Sequence, residues 1–436
     1  MQIRTYINKL KLNPIVLLVL LIFVGNLFAI VTCLINSKIF NLTYPYNTYL
    51  FRPEDRFMDF FNPLLVASSP YQQLANAQWQ QMPFFYVSLS WLKFIPHNIA
   101  FCLILGLFIT VLATIYFFAF HIDNYWKSII STIILLSCYP IVFSIDRGNL
   151  EMLFFLFLLV TLILFKKHHY NHSAIVLAVA VAFKPFAIAL LPLFLYKKRY
   201  LECIFIPLAA VLITIISLLI LPGSLWSNFH SWMTNMRLYN TNYVLSIEGM
   251  IGGNSIFGAL KLWFITAYYP YSINNTQTWM QTMAPTYLYG TILLAALVSY
   301  FTIRFQFDFW KKVTLLICCM NLLPTVSGDY RLIHFLIPLY FWLQTIPKEK
   351  HSLVRQSHFK NKDYVYQLFF ALLLIPRNYY HFWGRELTTA IYTSPAIMLL
   401  FMFFIIIDYY VENRHDNKLS DIPCSQIPSY PSSIQS

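Results

Sequence analysis

The sequence predicts an all-α, polytopic integral membrane protein: a bundle of about twelve helical segments with a long first external loop. Three observations carry this. Of 436 residues, 58% are hydrophobic and 11% are charged, less than half the charged share of about 25% found in soluble globular chains. The apolar residues fall in repeated runs of about 17–24, each long enough to cross a hydrocarbon core of roughly 30 Å. The basic residues alternate in density between successive loops, as the positive-inside rule requires of a multi-spanning chain.

The first run covers Asn13 to Ile35, behind a basic leader with Arg4, Lys9 and Lys11. It exceeds the apolar core of about 7–15 residues in a cleaved signal and lacks a small-residue cleavage site, so it reads as a retained span. Further spans are expected at Asn98–Phe120, Trp126–Ser144, Asn149–Phe165, Leu201–Leu221, Tyr287–Phe305, Val313–Val326, Arg331–Ile346, Tyr364–Ile375 and Thr393–Tyr410. Between Ser173 and Tyr196 the apolar stretch is interrupted by Phe183-Lys184-Pro185. Pro185 removes a backbone donor and disfavours helix at the residue before it, so two short helices should meet at Lys184 as a re-entrant pair. Both termini then share one side. Of the 30 Lys and Arg residues, 19 lie on that side and 11 opposite, which makes it the cytosolic side. Residues 1–346 read as a transmembrane catalytic domain, 347–412 as C-terminal transmembrane helices, and 413–436 as a disordered cytosolic tail.

The net charge of +13 belongs to this topology and not to a nucleic-acid surface, which would need a basic face tracking phosphates. Six of the seven cysteines lie inside expected spans, so no disulfide framework is implied. No CxxC or HExxH spacing occurs, which argues against a zinc site. His168, His169 and His172 beside Lys166 and Lys167 read as a basic cytosolic loop.

Charge at a membrane span is costly and tends to be functional, and here it gathers on the outer side. The first external loop, Asn36 to about Pro96, holds Phe51-Arg-Pro-Glu-Asp-Arg-Phe-Met-Asp-Phe60, with carboxylates at Glu54, Asp55 and Asp59 and arginines at Arg52 and Arg56. Aromatic residues crowd the rest of the loop, and Met82–Ile95, too short to span, should lie along the interface. Asp146-Arg147-Gly148-Asn149-Leu150-Glu151 opens the fourth span, and a helix starting at Asn149 would aim its free backbone donors outward as an anion site. Lys184 marks the helix break. Ser327-Gly328-Asp329-Tyr330-Arg331 opens a later span, with His334 one turn in. Each cluster also has a plain structural reading: Asp146–Arg147 and Asp329–Arg331 as ion pairs at helix ends, Lys184 as a snorkelling side chain, the loop charges as a solvated turn. Their shared face favours an external cavity with a cationic corner and a carboxylate.

Such a cavity suits a lipid-phosphate-linked sugar: apolar walls for the chain, Arg or Lys for the phosphate, and a carboxylate as base for an acceptor hydroxyl. Four features in order resemble the GT-C glycosyltransferases, and within them glycosyltransferase family 87, the polyprenol-phosphate-mannose-dependent α-mannosyltransferases. They are the loop aspartate in Arg56-Phe-Met-Asp59-Phe60, the turn Arg147-Gly148-Asn149-Leu-Glu151, the helix Ala178-Val-Ala-Val-Ala-Phe-Lys184-Pro185, and Asp329-Tyr330-Arg331-Leu332. The resemblance covers roughly residues 13 to 345.

The resemblance implies a metal-independent, inverting hexosyltransferase without cofactors. It implies a polyprenyl-phosphate sugar donor, a lipid or glycan acceptor, a bilayer setting and no nucleic-acid partner. It makes Asp59 the general base, with Asp55 as its rival one helical turn earlier. Glu54 and Asp55 would then tune the loop or pair with Arg52 and Arg56. Arg147, Lys184 and Arg331 are assigned to the donor phosphate, and Asn149, Glu151, Asp329, Tyr330 and His334 to the substrate. Many members carry Gly-Gln-x-Asn where this chain has Arg147-Gly148-Asn149, an added cation at the turn. The expected location is the bacterial plasma membrane. The alternative is a multi-pass transporter or a lipid-linked glycan flippase or polymerase; the lack of visible repeats and the interfacial placement of the charges weigh against it.

Overall fold

The computed structural model describes residues 14–71, 81–120, 125–250, 253–268, 276–346, 361–382 and 385–420. The basic leader, Trp79 and the charges from Lys348 to Lys360 lie outside them.

Helix α1 (Pro14–Lys38) begins at a proline, tolerated in a first turn because its missing donor would be unsatisfied there anyway. The external loop carries α2 (Met58–Val66), then α3 (Pro83–Ser90) running into a 3-10 turn at Trp91–Phe94. Trp91 and Phe94 are exposed, as an interfacial segment requires. Helix α4 (His97–Phe120) packs against α5 (Tyr125–Leu136), and α6 (Tyr139–Arg147) follows. The single span expected at Trp126–Ser144 is thus a pair bent by 53°. Pro140, with no amide hydrogen, sits in the first turn of α6 and prevents the α5 ladder from continuing.

Helix α7 (Glu151–Lys166) pairs with α8 (Tyr170–Phe183), whose end at extended Lys184 falls where the Lys-Pro sequence places it. A 3-10 turn, Pro185–Leu190, and α9 (Leu191–Tyr196) lead back. Helix α10 (Tyr200–Ile220) packs along α8. The segments α11 (Leu225–Tyr239) and α12 (Ile256–Tyr268) follow, then α13 (Thr276–Arg304), α14 (Phe309–Leu322), a 3-10 turn over Asp329–Phe335, and α15 (Leu336–Leu343). Helix α14 is buried from Trp310 to Leu322 and forms the centre of the bundle. Helices α1, α4, α10 and α13 instead turn Phe28, Leu103, Leu208 and Leu293 outward, the pattern of helices solvated by lipid.

The chain closes with α16 (Asn361–Leu374), an antiparallel hairpin of β1 (Tyr379–Phe382) and β2 (Arg385–Thr388), and α17 (Ala390–Ser420). Two expectations change. The fold is mostly α-helical, but the hairpin makes it not all-α. Among the described residues five helices are long and apolar enough to span, six counting the bent pair, and not twelve. Elements such as α7, α8 and α14 have 16, 14 and 14 residues, short of the roughly 20 that a full crossing takes. Helix α17 extends to Ser420, and residues 421–436, most of the expected tail, lie outside the described set.

Candidate functional site

The site is organised by the turn between α6 and α7. Gly148 ends α6 at φ +64°, a left-handed conformation that costs an L side chain strain and glycine little. Space demands glycine as well: a Cβ there would lie 3.0 Å from the Phe57 Cα and 3.1 Å from the Phe60 Cβ. Phe57 itself is left-handed (φ 61°) and donates its N–H to the Asp146 carbonyl at 2.8 Å. The absent side chain lets the external loop lie directly on the turn, and α2 starts at that contact with Asp59 in its first turn.

Arg147 then grips Asp59 bidentately, Nη2 to Oδ1 at 2.5 Å and Nε to Oδ2 at 3.2 Å, the fork geometry that suits carboxylates. Asn149 bridges loop and helix. Its Nδ2 donates to Asp59 Oδ2 at 2.7 Å, while its Oδ1 accepts the Glu151 N–H at 2.9 Å. Helix α7 therefore begins at Glu151, with Asn149 satisfying one of the donors expected to face an anion. The Arg147 guanidinium also stacks on Phe51, 4.4 Å from the ring centroid. Asp55 reaches the same arginine more loosely, at 3.9 Å, and its side chain is 41% exposed against 25% for Asp59. The two aspartates converge on Arg147, but across the left-handed break at Phe57 and not along one helical turn.

A second cluster lies deeper. Glu151 is fully buried, ion-paired with Lys184, and has His334 Nε2 3.3 Å from its Oε1. Phe154 packs against both, its ring centroid 5.8 Å from Lys184 Nζ and 5.4 Å from the His334 ring in an edge-to-face arrangement. Lys184 is 12% exposed, so it is held inside and does not snorkel. It lies within electrostatic reach of Asp59 and Arg331 as well as Glu151, which joins the two clusters. Arg331 stacks on Phe186 at 4.1 Å, and its Nε and Nη1 are buried without a hydrogen-bond partner among the described residues. An apolar cavity of about 470 Å³ opens at Phe186 and continues along Leu191, Leu195, Ala295, Met320 and Leu323.

Several expected pairings do not form. Asp146 accepts from Arg56 at 3.1 Å and leaves Arg147 to Asp59, while Arg52 pairs with Glu386. Glu54 and Asp55 are therefore not the partners of Arg52 and Arg56. Asp329 does not meet Arg331. It is fully buried, accepts from the Tyr139 hydroxyl at 2.8 Å and presents no open face to the cavity. Tyr330 turns back over Gly328. Tyr239 and Tyr243, which sequence reasoning missed, stack at 5.2 Å and neighbour Tyr330, Arg331 and Asp59. Little in the sequence marks them: Tyr239 ends α11 and Tyr243 lies in the turn Asn240–Val244 that follows, within a run of mixed polar and aromatic residues. Among the described residues no three His, Cys, Asp or Glu side chains gather where a metal ion would be shared.

Comparison with known proteins gives one match, to the model of glycosyltransferase family 87 over residues 83–327. No curated protein and no solved structure matches the chain. The matched stretch includes the turn at Arg147–Asn149, Glu151 and the Lys184 break; Asp59 lies before it and Arg331 after it. With more than half its length matched, the chain belongs to glycosyltransferase family 87 and is a membrane-bound hexosyltransferase that draws on a polyprenyl-phosphate-linked sugar donor.

Proposed function

We propose that this enzyme transfers mannose, with inversion, from a polyprenyl-phosphate donor to a hydroxyl of a lipid or glycan acceptor at the outer face of a bacterial plasma membrane, with both termini in the cytosol. The shorter buried helices complete a GT-C-type bundle around the site. The observation that carries this reading is a fixed carboxylate together with a cation that has donors to spare: Asp59 is gripped by Arg147 and Asn149, while Arg331, stacked on Phe186 where the apolar groove opens, keeps Nε and Nη1 without a hydrogen-bond partner among the described residues.

In this reading the polyprenyl chain lies in the groove and its phosphate meets Arg331, with Lys184 adding charge from behind and Arg147 closing the other side. Asp59 accepts three donated hydrogen bonds, one at Oδ1 and two at Oδ2. A carboxylate has about four acceptor positions, so Oδ1 retains one for the acceptor hydroxyl. As the acceptor oxygen attacks the anomeric carbon, its proton passes to Asp59. The bond to phosphate breaks on the opposite face, and the negative charge on the departing polyprenyl phosphate falls to the cations. One carboxylate serves a single inverting displacement; a retaining route would need a second as nucleophile.

The test is Asp59→Asn, which keeps shape and removes basicity. General-base catalysis contributes about 10²–10⁴-fold, so turnover should fall by that factor while donor binding persists. Asp55→Asn should lose far less. Retention of more than a tenth of turnover by Asp59→Asn, or Asp55→Asn proving the dead variant, overturns the assignment of the base.

A further inference from the structure

The C-terminal hairpin lies outside the stretch that identifies the family, yet it rests on the loop that carries Asp59. Tyr379 and His381, two apart on β1, share one face of the strand. Tyr379 meets Tyr44 at 6.0 Å and His381 meets Tyr46 at 5.3 Å, so two rungs on the strand match two alternate residues of the loop. Opposite His381 in the hairpin register stands Glu386, which pairs with Arg52 at 2.6 Å. Burial would raise the Glu386 carboxyl, but the Arg52 hydrogen bond and charge outweigh it and hold the group below the usual carboxylate range.

The base of the hairpin is anchored in turn. Thr389 N–H donates to the Asn378 carbonyl at 2.9 Å, and buried Arg377 donates to the Leu372 carbonyl at 2.5 Å. From Arg52 the chain runs through the 3-10 turn Pro53–Asp55 directly to Asp59. The segment is therefore held at its far end by Arg147 and Asn149, and at its near end by the hairpin.

We propose that the hairpin is a clasp that positions the base-bearing segment, with Glu386 acting through Arg52 as a positioning residue that sets turnover and not donor affinity. This rests on the reading of Asp59 as the base. An exposed ion pair alone changes an equilibrium by roughly fivefold at most, but a reacting group displaced by about 1 Å loses on the order of a hundredfold.

The experiment compares full-length Glu386→Gln, Arg52→Gln, the charge-swapped double variant Arg52→Glu/Glu386→Arg, and Tyr46→Leu as an independent break in the same contact. Each is assayed for kcat and donor KM with a polyprenyl-phosphate-mannose donor. Each single variant should lose roughly five- to tenfold in kcat with donor KM unchanged, and the swap should recover most of the loss. The proposal is overturned if the single variants keep wild-type kcat, if donor KM moves as much as kcat, or if the swap is no better than its parents. Asp59→Asn run in parallel separates the failures: an inactive Asp59→Asn beside unaffected clasp variants sinks the clasp alone, whereas an active Asp59→Asn removes the reading beneath it.

Discussion

Replacing Gly148 by alanine adds one methyl group at the point where the external loop meets the α6–α7 turn. The backbone term follows from φ +64°: holding an L residue there costs about 1–2 kcal/mol. The packing term follows from a Cβ 3.0–3.1 Å from Phe57 Cα, Phe57 O and Phe60 Cβ, contacts tight enough that the neighbours must give; overpacking of this kind costs about 1–3 kcal/mol. The sum is about 2–5 kcal/mol, and the loop that must shift to relieve it carries Asp59. A shift of about 1 Å is worth on the order of a hundredfold in rate. Gly148→Asn separates the terms, because asparagine visits the left-handed region readily and so keeps only the packing cost. Gly106→Ala and Gly290→Ala serve as controls, since a Cβ at either position meets nothing within 4 Å. The assay is turnover with a polyprenyl-phosphate-mannose donor alongside the thermal midpoint in detergent. Gly148→Ala should lose most in both, Gly148→Asn less, and the controls neither. Wild-type turnover and midpoint for Gly148→Ala would refute the reasoning about this turn.

Arg331→Gln should raise the apparent donor KM roughly ten- to a hundredfold, since a hydrogen bond to a charged group is worth about 1.5–3 kcal/mol; an unchanged KM would remove Arg331 from the phosphate site. In a cysteine-free background, Asn47→Cys should react with a membrane-impermeant maleimide on intact cells and Lys198→Cys should not; the reverse pattern inverts the topology. The Glu386 carboxyl is lowered in the folded protein, so its stabilising contribution is complete above the ordinary glutamate value of about 4.3 and is lost as pH falls through the lowered value. Any gap in thermal midpoint between wild type and Glu386→Gln at neutral pH should therefore close in strongly acidic buffer; a gap that persists there assigns the effect to packing.

The sequence alone determined the membrane setting, because 11% charge and long apolar runs admit no water-soluble core. It also placed the break at Lys184, because Pro185 acts locally, and it drew attention to Asp59, Arg147, Glu151 and Lys184, which the fold brings near one another, because ionisable groups beside lipid are costly wherever they fall. What it could not determine was who pairs with whom. Asp146 and Arg147 are adjacent in sequence yet point to Arg56 and Asp59, some 90 residues away. Asp329 and Arg331 separate onto Tyr139 and Phe186. Such partners are set by which helices pack together, and hydropathy carries no record of packing. The hairpin escaped for a related reason: four-residue strands leave too short a period to read, and Tyr379–Phe382 resembles any aromatic interfacial segment until Tyr44 and Tyr46 are found against it. Composition and local chain stiffness fixed the setting and the breaks; the close approach of the loop to Gly148, possible only after the helices assemble, decided the site.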